Sequence, residues 1–380
     1  MDFELNDEQR AIQEMAQSFA AEQLAPNALE WDQTGTFPDE VVRSVGELGL
    51  AGIYVREDVG GSGLGRLDAA LVFEALATGC PTIGSFISIH NMCAWMIDRF
   101  GTEEQRQEWV PKLCSMELVA SYCLTEPGSG SDAAALKTKA QTSGNGWKLN
   151  GAKSFISGGD YSDLYIAMVR TGEDGPKGIS AVLVEKGAEG LSFGAQEKKM
   201  GWRAQPTSEV RFDDCAIPGD HLLGEEGKGF RYAMAGLDGG RINIAAGALG
   251  GAQCALDKAV AYAKERSAFG QPIANFQSLQ FKLADMETEL QAARVFLYQA
   301  ASKLDAGSPD ATKFCAMAKR FVTDVSFRVA NEALQIHGGY GYLADYGVEK
   351  IVRDLRVHQI LEGTNEIMRM IVARHLLAEH

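Results

Sequence analysis

Near the end of the chain a carboxylate stands beside a glycine, in Leu361-Glu362-Gly363-Thr364-Asn365-Glu366-Ile367-Met368-Arg369. Apolar residues flank the pair. Apolar surroundings disfavour the charged form of a carboxyl group, so its pKa rises toward neutrality. A Glu in that state suits a general base acting on a weak carbon acid. Gly363 lets a ligand come close to the backbone. A helix cap or an ion-pair partner would leave the same trace, so the assignment depends on what stands upstream.

Five other segments carry chemistry-bearing residues. Tyr122-Cys123-Leu124-Thr125-Glu126-Pro127-Gly128-Ser129-Gly130-Ser131-Asp132 combines hydroxyls and glycines, so N–H groups and side-chain oxygens can face a flat polar ligand. It is not a P-loop, because no Gly-Lys-Ser/Thr follows. Phe155-Ile156-Ser157-Gly158-Gly159 sets an aromatic ring beside a hydroxyl, able to pack on a ring system and bond its edge. Leu237-Asp238-Gly239-Gly240-Arg241 offers close approach and a cation for an anionic ligand or an acidic neighbour. Arg266-Ser267-Ala268-Phe269-Gly270-Gln271-Pro272-Ile273, followed by Phe276-Gln277, puts an Arg in a connection between helices, suited to phosphate. Gln335-Ile336-His337-Gly338-Gly339-Tyr340-Gly341-Tyr342 is a glycine-rich stop to a long helix, with His337 as a possible cap cation. Each also has an ordinary structural reading as a turn, a cap or an ion pair.

The elements that must position these residues follow from periodicity. Residues 1–118 read as helical: Asn6 or Asp7 caps a helix carrying Ile12, Met15, Phe19 and Leu24, and Pro38 opens another with Val41, Val42, Val45 and Leu48. Leu67–Thr78 and His90–Phe100 follow, the second largely apolar and so expected to be buried. Gly60-Gly61-Ser62-Gly63-Leu64-Gly65 is out of register for a dinucleotide fingerprint, since Arg66 stands at the next position; it reads as a loop. Residues 119–228 change character. Trp147–Leu149, Leu164–Val169, Ile179–Val184 and Glu209–Phe212 are β-rich runs between turn pairs such as Asn145-Gly146 and Asp174-Gly175, which suggests a small barrel or sandwich. Across 229–380 long helices return, at Ala246–Arg266, Gln277–Leu304 and Ala311–Ile336, as in an antiparallel bundle. The class is α+β multidomain.

Bulk properties exclude several functions. The chain has 380 residues and a net charge of −15, which argues against nucleic acid and anionic membranes as partners. A local basic cleft for a small anion remains open. Seven scattered cysteines without C-x-x-C, and six histidines without H-E-x-x-H, give no disulfide framework and no metal site. No apolar run has the length of a membrane span. The acidic start Met1–Glu8 lacks the marks of a signal or transit peptide. The expected setting is the cytoplasm of a bacterium, or the mitochondrial matrix if a leader was removed.

Taken in order, Tyr122–Asp132, Phe155–Gly159, Arg266–Gln277, Gln335–Tyr342 and Leu361–Arg369 resemble the acyl-CoA dehydrogenase family along the whole chain. The resemblance implies an α-helical N-terminal domain (1–118), a β-domain (119–228) and a C-terminal four-helix bundle (229–380) bearing the base. It implies FAD as cofactor, an acyl-CoA substrate, an electron-transfer flavoprotein as acceptor, and a homotetramer in which a neighbouring subunit completes each flavin site. By this resemblance Tyr122, Leu124, Thr125, Gly130 and Ser131 border the flavin, and Ser157 contacts its side. Phe155 stands where the family usually has Trp, so weaker stacking is expected. Arg266, Phe276 and Gln277 would meet the pyrophosphate and adenine from the adjacent subunit. Gln335, Gly338 and Gly339 would meet the adenosine half, and Thr364, Asn365 and Glu366 would lie along the cofactor. Ser131, Asp238, Gly239, Gly240, Arg241, Gly363 and Arg369 would serve the CoA thioester.

Some family members carry the base in the stretch matching Leu237–Arg241, where this chain has Gly239 and Gly240; Glu362 is then the expected base. The resemblance further implies that Glu362 takes the α-proton while the β-hydride passes to the flavin. The thioester oxygen would be held by the Glu362 N–H and a ribityl hydroxyl. Glu74–Cys80, Ser88–Asp98 and Leu237–Ile244 resemble family members that act on short branched chains. Isobutyryl-CoA is the expected substrate and methacrylyl-CoA the product, as in valine breakdown, with side activity on 2-methylbutyryl- or butyryl-CoA. A flavin oxidase and a non-catalytic scaffold are the competing readings on the same fold.

Overall fold

A computed structural model describes residues 4–378; the part of the leader reading that concerns residues 1–3 lies outside them. The chain opens with α1 (Asp7–Phe19), started by a capping box in which the Asn6 side chain accepts from the Gln9 N–H and the Gln9 side chain accepts in return. One wide turn, Ala20–Leu24, carries it to α2 (Ala28–Thr34) and α3 (Asp39–Ser44). The cluster 60–65 is a loop, with positive φ at Gly60 and Gly63, leading into α4 (Arg66–Gly79). Two more helices follow, α5 (Pro81–Phe100) and α6 (Glu103–Cys114), the latter capped by Thr102. α5 starts at Pro81 rather than at His90, because Pro fits the first turn of a helix and the apolar run behind it is buried on nearly every side.

The middle segment supplies β1 (Ala120–Cys123), β2 (Lys139–Ser143), β3 (Gly146–Ser157), β4 (Leu164–Arg170), β5 (Ile179–Glu185), β6 (Leu191–Phe193), β7 (Thr207–Pro218) and β8 (Leu222–Leu223). They form one sheet in the order β6-β7-β3-β2-β4-β5-β8, with β1 pairing in parallel to β4. In the ladder its two halves join where Lys139 pairs with Arg170. Inward residues of both halves, among them Leu149, Tyr165, Val182, Val210 and Phe212, share one core, as in a sandwich. β4 is buried along its whole length because its other face packs on α5 and α6.

Long helices then return: α7 (Gly229–Glu265), α8 (Gln277–Asp305), α9 (Ala311–His337), α10 (Val348–Arg356) and α11 (Asn365–Ala378). α7 has 37 residues and is about 55 Å long. It begins at Gly229, not at Ala246, so Asp238–Arg241 lies inside a helix instead of at its entrance. The glycines that mimic breaks are contact points: a Cβ at Gly250 would stand 2.0 Å from the Glu74 carbonyl oxygen of α4, and one at Gly229 would stand 2.2 Å from Ser180 of β5. α4, α5, α7, α8 and α9 share a single apolar core, so helices from both ends of the chain pack as one body. Glu74 ties them, accepting from Arg294 Nε and Tyr298 Oη of α8, each at 2.8 Å.

Candidate active site

Glu362 sits in the turn between α10 and α11. Its φ is 54° and that of Gly363 is 93°, two successive left-handed residues that reverse the chain. A non-glycine residue there costs roughly 1–3 kcal/mol and persists only if its surroundings fix it. The fixing group is Lys319 of α9, whose Nζ donates to the Gly363 carbonyl at 2.8 Å and to Asn365 Oδ1 at 3.0 Å. Asn365 Nδ2 donates in turn to Asp324 Oδ1 at 2.7 Å. The carboxylate rests on Gly240 of α7, where a Cβ would stand 2.2 Å from Oε2. Burial pushes the Glu362 pKa up to about 7, against the opposing pull of Arg241 and Lys319. Oε2 is buried and has no hydrogen-bond partner.

Other unpartnered buried atoms gather around it. Tyr122 Oη and Arg241 Nε are two of them, and Tyr122 feels the charges of both Glu362 and Arg241. Asn243 Oδ1 and Arg66 Nη1 are two more. Asn243 Nδ2 donates to Tyr54 Oη at 3.0 Å, and the Arg66 guanidinium lies 3.6 Å from the centre of the Tyr54 ring. A second group lies beside the turn that leads to Glu362: Ser85 Oγ, Trp202 Nε1, Gln205 Oε1 and His358 Nε2. The Trp202 and His358 rings meet edge-on at 5.3 Å, and Gln205 Nε2 donates to Ser157 Oγ at 2.6 Å. Buried polar atoms are almost always bonded, so two groups of orphans flanking one carboxyl mark places where water or a ligand supplies the partners.

The loop from Leu124 to Ser131 is fastened to β3. Ser154 N–H donates to the Thr125 carbonyl at 2.8 Å. Lys153, fully buried, pairs with Glu126 at 2.8 Å and also donates to the Leu124 carbonyl. Glu126 accepts from the N–H groups of Lys137 and Thr138 as well. A Cβ at Gly128 or Gly130 would meet nothing within 4 Å, so the loop tip is open. Phe155 lies on a β-bulge with φ 60° and is 67 % exposed, an aromatic ring held out beside this loop. Ser131 is exposed, and Ser157 is half-buried.

The structure separates the remaining expected residues into two kinds. Arg266, Gly338 and Gly339 line one surface cavity of 360 Å³ together with Tyr262, His337 and Tyr340. Gln277 and Gln335 are exposed, and Phe276 is half-buried. His337 lies in the last turn of α9, where its Nδ1 faces the Ala333 carbonyl at 2.8 Å and its ring stacks on Tyr262. Arg241 is held by Asp238 at 2.7 Å, leaving only part of its guanidinium for a ligand. Asn365 turns its side chain into the bundle, so only its backbone can face a ligand. Thr364 caps α11 through the Ile367 N–H, Glu366 is exposed, and Arg369 pairs with Asp324 at the surface.

Lys153, Lys319, Arg66, Tyr54, Gln205 and His358 were not singled out from sequence. For Lys153 a signal existed, since strand alternation sets it on the same face as Leu149. Lys319 and Arg66 look like any lone cation on a helix until packing is known.

Three family models cover nearly the whole chain: the acyl-CoA dehydrogenase N-terminal domain over residues 6–117, the middle domain over 121–215 and the C-terminal domain over 227–377. A mitochondrial isobutyryl-CoA dehydrogenase of Bos taurus is 55% identical over 375 residues, spanning 99% of this chain and 90% of that protein. The structure of butyryl-CoA dehydrogenase from Megasphaera elsdenii superposes with a TM-score of 0.96 at 41% identity, over 99% of this chain and 100% of that one. An FAD complex of PigA reaches 0.96 at 32% identity, over 100% of both chains. With a base-like Glu against a helix glycine and matches of this length, the chain is an oxidoreductase of the acyl-CoA dehydrogenase family.

Proposed function

We propose that the protein oxidises the Cα–Cβ bond of a short branched acyl-CoA, isobutyryl-CoA to methacrylyl-CoA, with Glu362 as the base and FAD as the cofactor. The observation that carries this reading is the Glu362 carboxyl, buried on Gly240 with one oxygen unpartnered and a pKa near 7. A flavin fits the residues present. The open glycine loop 128–130 and the exposed Phe155 ring offer a face and an edge. The orphaned Gln205 Oε1 and His358 Nε2 offer partners for ring heteroatoms. Tyr122, Leu124, Thr125, Gly130, Ser131 and Ser157 would hold the ring. Arg266, Phe276, Gln277, Gln335, Gly338 and Gly339 lie at the surface, as a cofactor shared between subunits of a homotetramer requires.

When bound, FAD supplies the two-electron acceptor for the β-hydride. The protein's own part is proton transfer and alignment. The Glu362 carboxylate forms an O–H bond with the α-proton as that C–H bond breaks, and the freed pair becomes the new double bond while the β-hydrogen departs with its electrons. The Glu362 N–H would polarise the thioester oxygen, a contribution of roughly 3–4 kcal/mol in comparable sites. Asp238, Arg241, Gly363 and Arg369 are assigned to the CoA portion. Reoxidation is by an electron-transfer flavoprotein, in a valine-degrading pathway of the bacterial cytoplasm or mitochondrial matrix.

A panel of acyl-CoA thioesters tests the acyl assignment. Isobutyryl-CoA should give the highest kcat/KM, with weaker turnover of 2-methylbutyryl- and butyryl-CoA. Highest activity on octanoyl-CoA would overturn it. Peroxide produced in place of reduced acceptor would favour an oxidase.

A further inference from the structure

Arg66 opens α4 and is 6% exposed. Its guanidinium is clamped between aromatic rings, 3.6 Å from the centre of Tyr54 and 4.6 Å from that of Trp95. The backbone end is fixed as well: the N–H groups of Arg66 and Leu67 donate to Asp305 of α8 at 2.7 and 3.1 Å. Nη1 is buried and donates to nothing. It occupies the space that Gly239 leaves free, 2.2 Å from where a Cβ would stand there. The next residue of α7 is Gly240, on which the Glu362 carboxylate rests. Tyr54 lies within the field of both the guanidinium and the carboxyl. A rigid cation is therefore packed on the same helix, one residue along from the seat of the base.

We infer that Arg66 is a specificity-determining residue: its clamped guanidinium walls off the acyl pocket next to Glu362 and admits only short chains. A flexible side chain would swing aside for extra methylenes. The guanidinium would have to leave two aromatic faces, forfeiting cation–π attraction in a desolvated site where that attraction is strongest. Arg66 itself touches no reacting atom in this scheme. The inference rests on the acyl-CoA reading above and adds a determinant of chain length to it.

The test compares hexanoyl-CoA with isobutyryl-CoA in the full-length, FAD-loaded protein and in Arg66→Ala, Arg66→Gln and Arg66→Met. The ratio of kcat/KM, hexanoyl over isobutyryl, should rise about tenfold or more in Arg66→Ala, by less in Arg66→Gln, and little in Arg66→Met, which restores most of the length. Calorimetric dissociation constants in a Glu362→Gln background, where turnover plays no part, should shift in the same sense. Arg66→Ala or Arg66→Gln protein that keeps its FAD and leaves both ratios unchanged overturns the wall while the acyl-CoA reading stands. Wild-type protein that binds neither thioester overturns that reading and the wall with it.

Discussion

At the scale of single residues, the chemistry turns on one carboxyl whose charge is expensive to bury. As the proposed base, Glu362 would have to be deprotonated, so kcat/KM should rise with pH through about 7. Lys319 and Arg241 hold that value down. Lys319→Met should therefore move the rising limb to higher pH, read from a pH profile of kcat/KM, and should lower kcat by freeing the turn at Gly363. A carboxyl with a folded pKa above its unfolded value of 4.5 contributes stability below 4.5 and loses it as pH rises through about 7. Glu362→Gln should then be more stable than wild type above pH 7, on the order of 1–3 kcal/mol in denaturant melts, and equal to it near pH 4. The burial of Glu362 was legible in the sequence because apolar residues flank it. Arg66 and Lys319 were not, since identity alone does not tell a buried cation from a solvated one.

At the scale of elements, the site depends on what helix and strand backbones leave out. Gly240 gives Glu362 its seat on α7. Gly240→Ala would put a methyl group 2.2 Å from Oε2 and push the carboxylate aside. A loss of about a hundredfold in kcat is expected, with FAD retained, because displacement by about 1 Å costs that much. The same glycines misled the reading of α7, which was expected to start at Ala246: in sequence a packing glycine and a breaking glycine are alike. Strands β3, β4, β5 and β7 were legible as β-rich runs, whereas β1 and β8 are too short to alternate and exist through their partners. On β3 the buried Lys153–Glu126 pair fastens the glycine loop. Lys153→Met alone should cost about 3–5 kcal/mol by stranding Glu126, and Lys153→Met with Glu126→Gln should recover most of it in thermal or denaturant unfolding.

At the scale of the whole molecule, helices from both ends close over the sheet and share one core. That union could not be read from a helix–strand–helix order, which fits separate domains equally well; the contacts that decide it join residues more than 150 positions apart, such as Glu74 with Arg294. It brings α4, α5, α7 and the Glu362 turn to one place. The Arg266 cavity lies on the outer surface, with Gly338 and Gly339 in its wall. In the proposed tetramer this face meets a neighbour's cofactor. Arg266→Ala should leave the mass in sedimentation unchanged but raise FAD loss on dilution by about tenfold, followed by absorbance of the released flavin. Among the described residues no helix is long and apolar enough to cross a membrane.

The most direct measurement is anaerobic mixing of the FAD-loaded protein with isobutyryl-CoA, followed by flavin absorbance. Rapid bleaching is expected in the wild type and none in Glu362→Gln, with FAD still bound in the variant. A yellow wild-type protein that neither isobutyryl-CoA nor any other short acyl-CoA bleaches, or a Glu362→Gln variant that bleaches as fast, would contradict Glu362 as the base of an acyl-CoA oxidation.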